Sequence, residues 1–292
     1  MIIDRPGIYD LPSGTYHSDP TITPSLSAGM ITDLLRAPAI CYANSSRLNP
    51  NWEPPEREDK FTLGTVRHVL FLEPALFDKK VAVIKFDDWR TKEAKTLRDL
   101  AREADKTPIL EKHMDKVLAA REALLANELA SGMFRHGMFE QSIFWQHPVF
   151  RFWCRIRPDF LASNGAHVVD YKATTDANPE AFGRHAYNLG YHRRAAFYLE
   201  GVRQALGFSP QAYWFVNQET KPPYLTTVIS LDTNAIEAGA AQNERAAMMF
   251  DRCLKTGEWP GYRHRDALDQ DKPFQVGLPT YAYMAMEIQE GD

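Results

Sequence analysis

The chain has 292 residues, 44% of them hydrophobic and 25% charged, a globular composition that excludes a fibre or a largely disordered polypeptide. Its 34 Lys and Arg against 38 Asp and Glu give a net charge of −4, so bulk charge does not make it a coat for nucleic acid, although a local basic groove is compatible with that balance. No apolar run approaches the roughly 18 residues of a spanning helix, and the opening MIIDRPGIYD has neither a basic start nor an apolar stretch, so a soluble, cytoplasmic protein with no membrane partner is expected.

In chain order, Ser27 predicts an N-cap for a helix through Met30, Ile31, Leu34 and Leu35 that Pro38 ends. Asn49 to Lys60 (NPNWEPPEREDK) reads as an exposed connection, and Phe61 to Phe71 as a mostly buried helix carrying His68. Thr91 to Ala104 and Thr107 to Ala130 read as two further helices. In the second, Thr107 serves as N-cap, Pro108 stands at the first helical position and Gly132 lies near the end.

The pattern then changes. Glu140 to Trp145, Val149 to Arg157 and His167 to Lys172 read as strands, followed by a long helix from about Pro179 to Leu206. Gln211 to Asn217 and Tyr224 to Ser230 read as two more strands, and Asp232 caps a last helix that stops at Gly257. The expectation is one domain over 1–292 of the α/β (α+β) class, with a central mixed sheet flanked by helices. Residues 1–135 would be mainly helical, 136–260 a βββ-α-ββ-α core, and 261–292 a tail. Cys41, Cys154 and Cys253 are far apart with no CxxC pair, so free thiols are expected and neither a zinc ribbon nor a four-thiolate iron–sulfur cluster.

The second and third strands carry the chemistry. Phe150, Phe152, Cys154 and Ile156 alternate with Arg151, Trp153, Arg155 and Arg157, the period of a strand with one buried face. On the next strand Val168, Asp170 and Lys172 share one face and Val169 and Tyr171 the other. Between them, Asn164-Gly165 predicts a type I′ turn, which sets Leu161 opposite Val168 and Asp159 opposite Asp170. Opposed Cβ atoms stand about 4.5–5.5 Å apart, where like charges repel. A hard divalent cation, Mg²⁺ or Mn²⁺, relieves that repulsion; neutralisation by Arg157 and Lys172 at a solvated edge is the alternative.

Pro158-Asp159 followed by Asp170-Tyr171-Lys172 resembles the PD-(D/E)xK nuclease pattern. Over most of its length the chain resembles the nuclease domain of RecE-type exonuclease VIII and its phage relatives. The likeness lies in GIYDLPSGTYHSDPTITPSLSAGMITDLLRAPAICY, in Gly64-Thr65-Val66-Arg67-His68 (a G-T-x-x-H motif), in Glu140 of EQSIFW, and in CRIRPDFL, VDYKAT and GEWPGY. It implies a restriction-endonuclease-like fold and a Mg²⁺- or Mn²⁺-dependent exonuclease acting 5′→3′ on linear double-stranded DNA ends in phage-type homologous recombination. A single-strand annealing protein would be its partner, and relatives form homo-oligomeric rings. By the same resemblance Asp159 and Asp170 are metal ligands, with the backbone carbonyl of Tyr171 completing the shell. Glu140 is a further acidic ligand or a water-positioning group, and His68 binds the metal from the other side. Lys172 orients or helps to deprotonate the attacking water and stabilises developing charge.

One departure stands out. Related nucleases place a glutamine four residues before a tyrosine on the helix after this strand; here Tyr198 is present but Arg194 occupies the glutamine position. An arginine there either grips a phosphate or upsets the site. Arg184, His185, His192, Arg193 and Arg194 on that helix, with Arg151, Arg155 and Arg157 on the strand, read as a phosphate-lined approach or as an ordinary solvated surface. Ser25 and Ser27 are candidates for a terminal-phosphate contact or for simple helix capping. Two rival readings remain: a catalytically weak or inactive DNA- or protein-binding member of the same fold, and an iron oxygenase site on His17-Ser18-Asp19.

Overall fold

The computed structural model describes residues 2–54, 62–262 and 273–278. The stretch 55–61 and most of the tail over 261–292 lie outside the described residues. In the first half the chain forms β1 (Gly7–Tyr9), α1 (Ser13–His17), β2 (Ser25–Leu26), α2 (Ala28–Arg36), α3 (Pro38–Ala43) and α4 (Thr62–Leu72). Then come α5 (Phe77–Lys80), β3 (Val81–Ile84), α6 (Lys92–Glu103), β4 (Thr107–Leu110), α7 (Met114–Ala126) and α8 (Glu128–Gly132). Ser27 caps α2 by accepting from the Met30 amide at 3.4 Å. Pro38, unable to continue that helix, opens α3 at its first turn.

The helix expected from Thr107 to Ala130 is corrected. Thr107–Leu110 is a strand paired in parallel with β3, a 3-10 turn follows over Glu111–His113, and α-helix begins only at Met114. Ile109 and Leu110 are buried through that pairing, a non-local gain that overrides the local Thr-Pro start signal. Pro108 fits because both strands of a two-stranded sheet are edges.

The second half runs β5 (Gly137–Phe139), β6 (Ser142–Gln146), β7 (Trp153–Ile156), β8 (Phe160–Ala162), β9 (His167–Thr174), α9 (Pro179–Leu189), α10 (Tyr191–Leu206), β10 (Ala212–Glu219), β11 (Thr226–Ile229) and α11 (Thr233–Thr256). The sheet comes in two parts. One has the order β11-β10-β9-β8-β5, with β9 and β10 parallel and the other pairs antiparallel; the other has the order β1-β6-β7-β2. The strand expected over Val149–Arg157 shortens to β7 chiefly at its start, where residues 148–150 form a turn closed by Arg151, which donates to the His147 carbonyl at 3.0 Å and has a left-handed φ of 65°. Pro158, which lacks an N–H, follows its end. The chain passes between the two sheets at Arg157-Pro158-Asp159, and again at Glu140, whose φ of 54° is left-handed. Both acidic residues therefore sit at the seam, tied by the Glu140 amide donating to the Asp159 carbonyl at 3.1 Å.

The β8–β9 register places Leu161 opposite Val168 and Phe160 opposite Val169, as Asn164-Gly165 predicts. The turn itself differs from type I′. Gly165 alone takes a left-handed φ, of 66°, and donates to the Ala162 carbonyl at 2.7 Å, while Asn164 uses its side chain to accept from Ala166. The long helix is also broken, at Gly190, whose φ of 71° caps α9 and starts α10 in a new direction.

The larger core packs α2, α10 and α11 against Trp145, Ile156, Val168 and Phe215; a second core packs Leu72, Leu124 and Phe134 against Val169, Tyr171 and Val216. Both faces of β9 are thus covered. Cys41, Cys154 and Cys253 are buried, and burial pushes the Cys41 thiol up to about 12. Among the described residues no helix is long and apolar enough to cross a membrane.

Candidate metal centre

His68 projects from α4 beside the Tyr171 ring, within a cleft of about 340 Å³ that Gly64, Thr65, Lys172 and Ala173 also line. Its Nε2 lies 3.4 Å from Asp159 Oδ2 and 3.6 Å from Glu140 Oε1. One donor atom from each of the three residues falls within 4.8 Å of the others. Asp159 is aimed there by its position just before β8, where the Tyr171 amide donates to its Oδ2 at 2.7 Å. Glu140 is aimed by Arg157, whose Nε donates to Glu140 Oε2 at 2.6 Å.

The fields of these groups are coupled. Burial works against a charged His68, but the Asp159 charge and hydrogen bond, helped by Glu140, prevail and raise its pKa. Burial likewise opposes the Asp159 carboxylate, yet His68, Lys172 and the Tyr171 amide hold its pKa below the usual value. For Glu140, burial and then the Asp159 charge win over His68 and Arg157, and its pKa rises. Such a pocket of two carboxylates and an imidazole favours a bound cation.

Asp170 is a separate matter. It is 2% exposed and faces Lys172, whose Nζ lies 2.6 Å from its Oδ2 and 5.6 Å from the centre of the Tyr191 ring. Arg194 Nη1 stands 3.8 Å from Asp170 Oδ1. Burial disfavours the Arg194 charge, but Asp170 and the neighbouring tyrosines hold it on, raising its pKa. Asp159 and Asp170 thus each have cationic partners within the protein: His68 for Asp159, Lys172 and Arg194 for Asp170. Asp170 belongs to the lysine cluster and is not among the three convergent donors.

Several residues expected to meet DNA have other work. Arg157 is buried, its Nη1 donating to the Leu11 carbonyl at 2.8 Å and to Ser142 Oγ at 2.7 Å. Tyr198 is buried and donates to the Arg157 carbonyl at 3.4 Å. Arg193 turns to α11, donating to Gln242 at 3.0 Å. Ser25 is fully buried in β2, its hydroxyl on Asp19 Oδ1 at 2.6 Å, and Ser27 is a helix cap. These side chains have partners within the protein, and the strand face bearing Arg155 and Arg157, expected to be open, is covered by the N-terminal segment of Leu11 and Tyr16. Arg184 remains exposed on α9 and Arg194 half-buried.

Asp19 is 4% exposed and engaged by Thr21, Ser25 and Arg155, so in His17-Ser18-Asp19, at the end of α1, the carboxylate is spent within the protein instead of being offered to an iron. Tyr191, Ser142 and the Leu11 carbonyl escaped the sequence reading. Only the arginine alternation on β7 pointed toward the last two.

The donor chemistry fits a divalent cation. Donors on one ion lie up to about 4.2 Å apart, twice a bond of roughly 2.1 Å, and the separations of 3.4 and 3.6 Å fall inside that limit.

Residues 27–269 match the family described as "PDDEXK-like domain of unknown function (DUF3799)". No curated protein sequence matches the chain. Among solved structures, the chain is similar to a "putative exonuclease" from Eubacterium rectale, with 14% identity, a TM-score of 0.59 and coverage of 97% of this chain and 100% of that one. It also aligns with an alkaline exonuclease from Laribacter hongkongensis at 13% identity over 66% of this chain and 91% of that one, with a TM-score of 0.25. The family match spans most of the chain, including His68, Glu140, Asp159 and the Asp170-Tyr171-Lys172 strand; the chain belongs to the PDDEXK-like family and has the fold of the PD-(D/E)xK nucleases.

Proposed function

We propose that this chain is a divalent-metal-dependent exodeoxyribonuclease that hydrolyses linear double-stranded DNA from its ends, 5′→3′, in the cytoplasm. The observation that carries the reading is the convergence of donor atoms from His68, Glu140 and Asp159, with His68 lining the same cleft as Lys172. Membership of the PDDEXK-like family supports nuclease chemistry. Polarity, the duplex-end substrate, phage-type recombination, an annealing-protein partner and a ring assembly come from the RecE-type resemblance.

His68, Glu140 and Asp159 would hold Mg²⁺ or Mn²⁺; the RecE-type resemblance adds Asp170 and the Tyr171 carbonyl to that set. When bound, the ion supplies activation of the attacking water and neutralisation of the scissile phosphate. Lys172 places a second positive charge where negative charge develops, and Asp170 holds its ammonium in position at 2.6 Å. Arg184 and Arg194 are the remaining candidates for phosphate contacts, with Ser27 at the start of α2.

A second reading rests on Arg194. Its guanidinium is 3.8 Å from Asp170, so it competes for the carboxylate the metal would need, which favours a catalytically weak, DNA-binding member. Linear duplex labelled at its 5′ or 3′ ends, incubated with and without Mg²⁺ or Mn²⁺, separates the two. Early release of the 5′ label, only with the ion present, supports the nuclease. Intact DNA retained in a complex under the same conditions supports the binding reading.

A further inference from the structure

We infer that Arg157 is a positioning residue that makes Glu140 a usable metal ligand, and this rests on the metal-centre reading above. Arg157 is buried, with 7% of its side chain exposed, and spends its fork on three fixed acceptors. Nε takes Glu140 Oε2 at 2.6 Å, and Nη1 takes the Leu11 carbonyl at 2.8 Å and Ser142 Oγ at 2.7 Å. The Tyr16 ring lies 5.9 Å from the guanidinium, and Tyr198 donates to the Arg157 backbone carbonyl.

Glu140 needs such a brace. Its φ of 54° places it in the left-handed region, at the seam between two sheets; the Asp159 carbonyl holds its amide, while Arg157 aims its side chain. Using Oε2 on Arg157 leaves Oε1 turned to His68 at 3.6 Å, within the donor cluster. Arg157 itself touches neither His68 nor Asp159 among the hydrogen bonds and ion pairs of the site, so its effect passes through Glu140. Because the same guanidinium holds the Leu11 carbonyl, the N-terminal segment becomes part of the support of the metal centre. A lysine carries the charge but not the planar fork that reaches three acceptors together.

Titration of Mn²⁺ into the full chain and into Arg157→Lys, Glu140→Gln and the double variant tests this. Loss of a group that orients a ligand weakens metal binding by about 10- to 100-fold, and Arg157→Lys is expected within that range. In the Glu140→Gln background the same change is expected to add less than about two-fold, since the path through Glu140 is already cut. DNA affinity measured without metal should match the unaltered chain, because Arg157 faces no solvent. Should Arg157→Lys fold poorly, Ser142→Ala removes one anchor from the fork and is expected to weaken Mn²⁺ several-fold. Wild-type Mn²⁺ affinity in the folded Arg157 or Ser142 variant, or an undiminished effect in the Glu140→Gln background, overturns the inference alone. Absence of Mn²⁺ uptake by the unaltered chain overturns the metal-centre reading, and this inference with it.

Discussion

The Tyr171 amide donates a 2.7 Å hydrogen bond to Oδ2 of Asp159, so a carboxylate stands where a strand carbonyl would otherwise close the ladder. This fixes Asp159 over β9 and presents it to His68. Asp159→Asn keeps an acceptor for that amide and removes the charge. It is expected to keep the fold, with a modest drop in melting temperature from the lost attraction to His68 and Lys172, while weakening Mn²⁺ uptake by at least about 100-fold, beyond the range for groups outside the ligand set. Calorimetric titration beside a thermal melt measures both.

Lys172 lies outside the three-donor set, so its loss should separate binding from chemistry. Lys172→Ala is expected to retain ion uptake and to lower the rate of nucleotide release by about 100- to 1,000-fold, the scale of one preorganised donor at developing charge. Asp170→Asn frees both Lys172 and Arg194 from their shared carboxylate and is expected to abolish digestion with the fold intact. Release assays on linear duplex, with circular dichroism of each variant, check both outcomes.

The pH dependence follows from His68. Its folded pKa is raised above the ordinary imidazole value of about 6.5. Without metal, its stabilising contribution is fully present below that ordinary value and is lost as pH climbs through the raised one. Asp159, with a lowered pKa, contributes above the ordinary carboxylate range and loses its contribution as pH falls through the lowered value. Metal uptake runs the other way from the His68 proton, because ion and proton compete for Nε2. Mn²⁺ affinity should therefore strengthen as pH rises to the raised His68 value and level off above it. His68→Asn should weaken binding and flatten that slope.

Helix packing gives a test independent of the site. A Cβ at Gly239 on α11 would come within 2.3 Å of the His192 carbonyl oxygen on α10, and backbone cannot move aside cheaply. Gly239→Ala is expected to cost about 1–3 kcal/mol. Gly183 on α9 has nothing within 4 Å of the same added atom, so Gly183→Ala should stabilise by about 0.5–1 kcal/mol. Denaturant unfolding of the two variants checks the opposite signs.

What the sequence made legible was governed by local chemistry. Asp232 and Gly257 bound α11 because capping signals act within one turn, and Asn164-Gly165 sets the hairpin register although the turn differs. Thr107–Leu110 was not legible as strand, since its partner Val81–Ile84 is remote in sequence. The site divides in the same way. Asp159, Asp170 and Lys172 could be read from hairpin geometry, and His68 and Glu140 from motif resemblance. The work of Arg157 could not, because it depends on Leu11 and Tyr16 folding over a strand face that alternation alone leaves open.

Anomalous scattering from crystals of the full chain grown in excess Mn²⁺ tests the metal centre most directly. A peak bonded to His68 Nε2 and the Asp159 carboxylate, with Glu140 or Asp170 beside it, is expected. A well-ordered map at saturating Mn²⁺ with no peak between those side chains would contradict a metal-dependent nuclease centre at this place in the fold.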